Sequence, residues 1–230
     1  MNEVANTGSN ALSELHKLGL ETPKATAEMQ EMAFAGFNPN LRLFPASGKI
    51  VAGKPHLPGN WGLFNGDEFK VLTNQILVVP LTFRTKAVDW REKQTVIAFG
   101  SDDPEYLSIK EYCEDFKEKN KGSMGCEAMY GIEFLMLYAG AEKFTLIQFY
   151  LNNPTMRGQS ENLAEFIRKP TILKSKLITA KSNTWYGFEV SLGSADDLPP
   201  LPPLSKLKPA VDKFLNPPKD EEANVETVSR

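Results

Sequence analysis

The chain has 230 residues, is 41% hydrophobic and carries 26 Lys or Arg against 29 Asp or Glu, a formal charge of -3. That is enough for one substantial core plus ordered extensions, and with an acidic total any anionic partner must be selected by local charge. No apolar run approaches the roughly 18 residues of a bilayer crossing, the longest being the strand-sized Ile76 to Phe83. The opening MNEVANTGSN has no basic region leading into an apolar segment, so the expectation is a soluble, intracellular protein without a membrane partner. Cys113 and Cys126 fall in different predicted elements without a CxxC pattern; one disulfide between them stays open, and two reduced structural cysteines are the favoured reading.

Taken in order, the first 37 residues form a polar leader in which NALSELHKLG and TPKATAEMQEMAFAGF predict two short helices. From Asn38 to Phe69 the chain is crowded with Gly and Pro, and FNPN, PASG, KPHLPGN and FNGDEF read as turns joined by short extended pieces. FKVLT and ILVVPLTFR are strand-like, with Pro80 pointing to a sheet edge or a bulge, and TVIAFG continues the pattern. The period then changes. YLSIKEYCEDFKEKN spaces its apolar residues as a helix does and begins after Asp102 and Asp103, which read as caps rather than cation ligands. CEAMYGIEFLMLYAG and KFTLIQFYL form a hairpin about Gly140 and Ala141, ENLAEFIRKP is a short helix ended by Pro170, and TILKSKLITAKSN with TWYGFEVSL makes a last hairpin about Lys181 to Asn183.

About seven strands and two inserted helices predict a mainly β domain, specifically an OB-like antiparallel barrel with short helices, over residues 38–193. A Pro-rich, mildly acidic extension follows over 194–230, with VDKFL as one helical turn. Catalytic patterns are absent: His16 and His56 are far apart in sequence and neither sits in an HExxH or His–Asp arrangement, and two cysteines do not make a zinc site. The expectation is a protein that is not an enzyme and holds neither metal nor cofactor.

Residues 143–190 carry seven Lys or Arg against Glu161, Glu165 and Glu189, a local charge of +4 interleaved with aromatic rings. Cations along a groove displace counterions from phosphates, while ring faces accept bases without reading their edges. The candidate contacts are Arg84, Lys86, Trp90, Arg91 and Lys93 in FRTKAVDWREK, with Tyr150, Arg157, Lys174, Lys176, Lys181, Trp185 and Tyr186 in the later stretch. Lys174 and Lys176 share one side of an alternating strand, with Leu173, Ser175 and Leu177 on the other. Phe134, Tyr138, Phe144 and Phe188 read as core. For each cation the competing reading is solvent decoration, and for Trp90 it is packing over the sheet edge.

The runs VLTNQILVVPLTFRTKAVDW, GIEFLMLY, KFTLIQFYL and PTILKSKLITAKSNTWYGFEV resemble a group of tailed-bacteriophage single-stranded DNA-binding proteins built on an OB fold. The resemblance spans roughly residues 45–191. It implies a DNA replication or recombination accessory protein that coats unpaired strands in the cytoplasm of an infected bacterial host. Members of that group often end in a strongly acidic tail that contacts replication or recombination proteins; here the tail is mildly acidic and closes on Arg230. A phage structural or assembly protein with a β domain and an extended arm is the rival reading, and a small metal-dependent hydrolase a third.

Overall fold

The computed structural model describes residues 38–46, 50–51, 54–55, 57–65, 68–123, 125–152, 158–180 and 183–217. The leader and its two expected helices, both histidines, Arg157, Lys181 and the chain beyond residue 217 lie outside the described residues.

Nine strands form one mixed sheet: β1 (Asn40–Leu43), β4 (Trp61–Asn65), β5 (Glu68–Val71), β6 (Gln75–Asp89), β7 (Val96–Phe99), β8 (Ala128–Ala139), β9 (Phe144–Leu151), β10 (Thr171–Ala180) and β11 (Asn183–Leu192). The hydrogen-bonded path runs β11-β10-β6-β8-β9-β1-β4-β5, with β7 on the far end of β6; β2 (Ile50–Val51) and β3 (Lys54–Pro55) pair separately. Among the described residues every pairing is antiparallel except that of β1 with β9, where Asn40 lies opposite Gln148. The helices are α1 (Pro104–Lys119), α2 (Ser160–Ala164) and α3 (Leu204–Leu215). The Gly- and Pro-rich region before Phe69 thus contributes two strands, β1 and β4, to the main sheet as well as turns.

The mainly β fold with short helices agrees with the strand pattern, but the sheet is not a closed barrel. β11 and β5 end the path, and closure requires the two edge strands to pair. The cause lies in β10, which pairs with β6 only over Thr171–Lys174 before leaving with β11 as a two-stranded ribbon. Side chains draw the ends together instead. Trp61 on β4 is fully buried and meets Phe149 and Phe188 edge-on at 5.5 and 5.7 Å, although Phe188 belongs to β11. Tyr186 of β11 lies over Gly59, where a Cβ would stand 2.5 Å from its ring. Only glycine fits there, since φ is also +78°.

The curl defines two faces, both apolar at the centre. Phe134, Met136, Ile147 and Phe149 point into the curl with Ile76, Val78, Leu173 and Phe188, while Leu135, Leu137 and Leu146 point outward with Val79 and Leu81. That is why β8 reads as a nearly continuous apolar run rather than an alternating one. Pro80 sits within a central strand and marks the bulge between Pro80 and Thr82, where the register with β8 shifts. β6 does not stop near Arg84 but continues to Asp89, so FRTKAVD is strand and the turn follows only after Trp90.

Helix α1 closes the far end of the inner face through Tyr106, Ile109 and Cys113 against Ala87, Ala98 and Ala128. Asp103 is its N-cap, accepting from the backbone N–H of Glu105 and Tyr106 at 2.8 and 3.1 Å, with Pro104 as the first helical residue. The outer face is covered by the extension. Leu207, Ala210 and Phe214 of α3 are buried on the outer cluster, and Leu198, Leu201 and Leu204 pack beside them. VDKFL is therefore the end of a twelve-residue helix rather than an isolated turn, because spacing at i, i+3, i+6 and i+10 from Leu204 gives it a stripe to bury.

Gly131, opposite Lys86 on β8, has no room for a side chain: a Cβ would lie 2.1 Å from the carbonyl oxygen of Leu151. Gly131→Ala is expected to cost about 1–3 kcal/mol or more by overpacking, read as a lower urea midpoint. An unchanged midpoint would show that the end of β9 yields freely.

Candidate nucleic-acid interface

The fold places the described candidate residues in three separate groups. The first lies on the outer face where β6, β8 and β9 run side by side. Arg84 and Tyr150 lie directly across from Glu133 on either side, so that a cation, a carboxylate and a phenol form one row. Glu133 is fully buried. Arg84 donates to Glu133 Oε2 from Nε at 2.9 Å and Nη2 at 2.7 Å, and Lys86 donates to Oε1 at 2.6 Å. The Arg84 guanidinium is also held between two rings, 3.6 Å from the centre of Phe99 and 4.2 Å from that of Phe214, and Nη1 donates to the Phe214 carbonyl. Burial pushes the Arg84 guanidinium below its usual range, with the Glu133 charge and hydrogen bond opposing that shift. The Lys86 ammonium stands 5.2 Å over the ring of Tyr150, whose hydroxyl donates to the Lys86 carbonyl at 3.0 Å. Arg84 therefore joins the sheet to α3, while Lys86 and Tyr150 hold to their neighbours within the sheet.

The second group surrounds the end of β6. Arg91 forks onto Asp89, with Nε 2.9 Å from both carboxylate oxygens, and lies 3.9 Å over the ring of Tyr112. Burial pushes the Asp89 carboxyl up, but hydrogen bonds and charge from Arg91 outweigh that and hold it below the usual carboxylate range. Trp90 is half-buried, its backbone N–H donating to the Glu127 carbonyl at 3.0 Å. Trp90 borders an open cleft of about 760 Å³ lined also by Cys113, Lys117, Cys126, Met129 and Tyr130. Lys93 is exposed in the turn that follows.

The third group is the β10–β11 ribbon. Lys174 lies opposite Glu189, Lys176 opposite Gly187 and Ile178 opposite Trp185, so the two lysines and the indole share the ribbon's outward face. Both lysines are exposed; Lys176 pairs with Glu189, and Lys174 makes no ion pair among the described residues. Leu173 is buried on the opposite face, as alternation predicts. Trp185 is half-buried, and its Nε1 is shielded from solvent without a hydrogen-bond acceptor. Tyr186 points to the other face, onto Gly59, and does not join Trp185.

The chain matches no family model, no curated protein and no solved structure.

The three groups do not merge into one groove. Gln75, where β10 leaves β6, and Arg84 are nine residues apart on the same strand, about 30 Å at the rise of a β-strand, and α3 covers the outer face between them. The residue that sequence reasoning missed is Glu133. Its signal was present: a single acid in GIEFLML, placed so that the cations at 84 and 86 on the neighbouring strand can reach it.

Proposed function

We propose that the chain binds single-stranded DNA without reading its sequence, through the outward face of the β10–β11 ribbon. The observation that carries this reading is the shared face of Lys174, Lys176 and Trp185 on a ribbon that extends past the end of β6. Two ammonium groups supply phosphate contacts and an indole supplies a stacking platform. The resemblance to phage proteins gives the setting, DNA replication or recombination in an infected bacterium, with replication or recombination proteins as partners. Among the described residues no helix is long and apolar enough to cross a membrane.

The test is titration of the full chain into labelled oligo-dT and into the matching duplex over a range of salt. Tighter single-strand binding that weakens with salt is expected. Lys174→Glu with Lys176→Glu should lower the slope of log K against log salt by about 1.4, the value for two phosphate contacts on a single strand. Trp185→Ala should weaken binding by about 1–3 kcal/mol. Absence of association at low salt would end the proposal.

An assembly module is the second reading, favoured by a different observation. Arg84, Lys86, Arg91 and Lys176 are paired with carboxylates, whereas Leu177 and Leu192 on the ribbon are 52% and 62% exposed beside the edge of β11, which pairs with no further strand among the described residues. Concentration-dependent self-association that Leu192→Asp abolishes, together with no oligonucleotide binding, would select it.

A further inference from the structure

Cys113 is buried on α1, and Cys126 is half-exposed in the segment that joins α1 to β8. Both are free thiols, and their Sγ atoms are 3.9 Å apart. Both also line the open cleft beside Trp90, so the pair is reachable by a small molecule, unlike cysteines sealed in a core. We propose that Cys113 and Cys126 are a reversible dithiol–disulfide site, oxidised by low-molecular-weight disulfides, whose closure fastens α1 to the segment before β8. This inference is independent of the nucleic-acid reading.

Bond formation requires the sulfurs to approach to about 2.05 Å, a movement of roughly 2 Å. The segment can supply it. A Cβ at Gly122 or Gly125 would meet nothing within 4 Å, and the backbone bond from Cys126 N–H to the Ser123 carbonyl is a long 3.2 Å. The partner side is fixed, because Cys113 packs with Tyr106 and Ile109 against the sheet.

Exposure assigns the order of attack. Burial, reinforced by Cys126, pushes the Cys113 thiol up to about 12. Cys126 therefore attacks first as the thiolate: its sulfur bonds to one sulfur of the small disulfide RSSR and the other leaves as a thiolate. Cys113 then loses its proton and attacks Cys126 Sγ, expelling the second RS⁻. The two protein thiols lose two electrons, RSSR gains them, and the two protons end on the two RSH products.

The experiment exposes the reduced full chain to excess oxidised glutathione and follows intact mass, alkylatable thiol content and tryptophan emission. The expected product is a monomer lighter by two hydrogens, with no alkylatable thiol and a thermal midpoint about 5 °C or more higher, restored by dithiothreitol. Emission should fall on closure in the wild type and stay flat in Trp90→Phe, because Trp90 shares the cleft. Cys113→Ser should stop at one glutathione on Cys126, and Cys126→Ser should acquire glutathione at least about tenfold more slowly. Thiols that stay alkylatable after long exposure, a disulfide-linked dimer, or a wild-type adduct that never resolves would each overturn the proposal. If a serine variant fails to fold, the wild-type mass and thiol count decide alone.

Discussion

Glu133→Gln is expected to lower the unfolding free energy by about 3–5 kcal/mol, the range for removing one partner of a buried ion pair. The side chain of Glu133 has no solvent exposure, and those of Arg84 and Lys86 retain only 12% and 17%. An amide keeps the size of the carboxylate but presents one acceptor and no charge, which leaves two cations facing each other in a shielded site. The loss should appear in urea unfolding with an unchanged slope. Because the cost is that of stranded cations rather than of lost volume, Glu133→Leu combined with Arg84→Met and Lys86→Met should recover most of it. A small change for Glu133→Gln alone would mean that water reaches the cluster.

Removing residues 198–230 is expected to abolish cooperative unfolding, whereas removing 218–230 should leave it intact. The first truncation strips α3 from Val79, Leu81, Leu135, Leu137 and Leu146, and it uncaps Arg84, which loses the Phe214 ring and carbonyl. Leu207 alone is fully buried, so Leu207→Ala should cost about 2–5 kcal/mol. The outer face left bare by the truncation is an aggregation surface. Urea melts and light scattering of the two truncations decide the matter. A cooperative melt from the shorter chain would show that the sheet stands without its outer layer. For the chain lacking only residues 218–230 the single-strand affinity should be equal or tighter at low salt, the difference fading as salt rises, since Asp220, Glu221, Glu222 and Glu226 compete with phosphates for cations.

Local signals served well where the physics is local. Asp103, Pro104 and the apolar spacing of Tyr106, Ile109 and Cys113 are all short-range terms, and α1 starts where they place it. The turn at Gly140 and the two terminal hairpin strands follow for the same reason. Pro80 carries both the right and the incomplete part of the sequence reading. Its missing N–H predicts a bulge, but only the neighbouring strands show that the bulge lies within a central strand.

The candidate site was legible in its residue types and not in its grouping. Arg84 carries the charge that contact with phosphate requires, yet nothing within FRTKAVDWREK shows Glu133, 49 residues later, or Phe214, 130 residues later, as its surroundings. Trp185 and Tyr186 are adjacent in sequence and fall on opposite faces, which strand alternation alone dictates.

By itself the sequence determined the mainly β composition, the capped helix α1, the two hairpins, and the common face of Lys174 and Lys176, because period, turn chemistry and caps act within a few residues. The tertiary structure alone decided that the sheet stays open, that α3 becomes its outer layer, that Glu133 absorbs two of the candidate cations, and that Cys113 meets Cys126. Those outcomes depend on which apolar faces and which charges are brought together by strand pairing across long stretches of chain, and the free energy of such pairing is set by surfaces that do not exist until the sheet has formed.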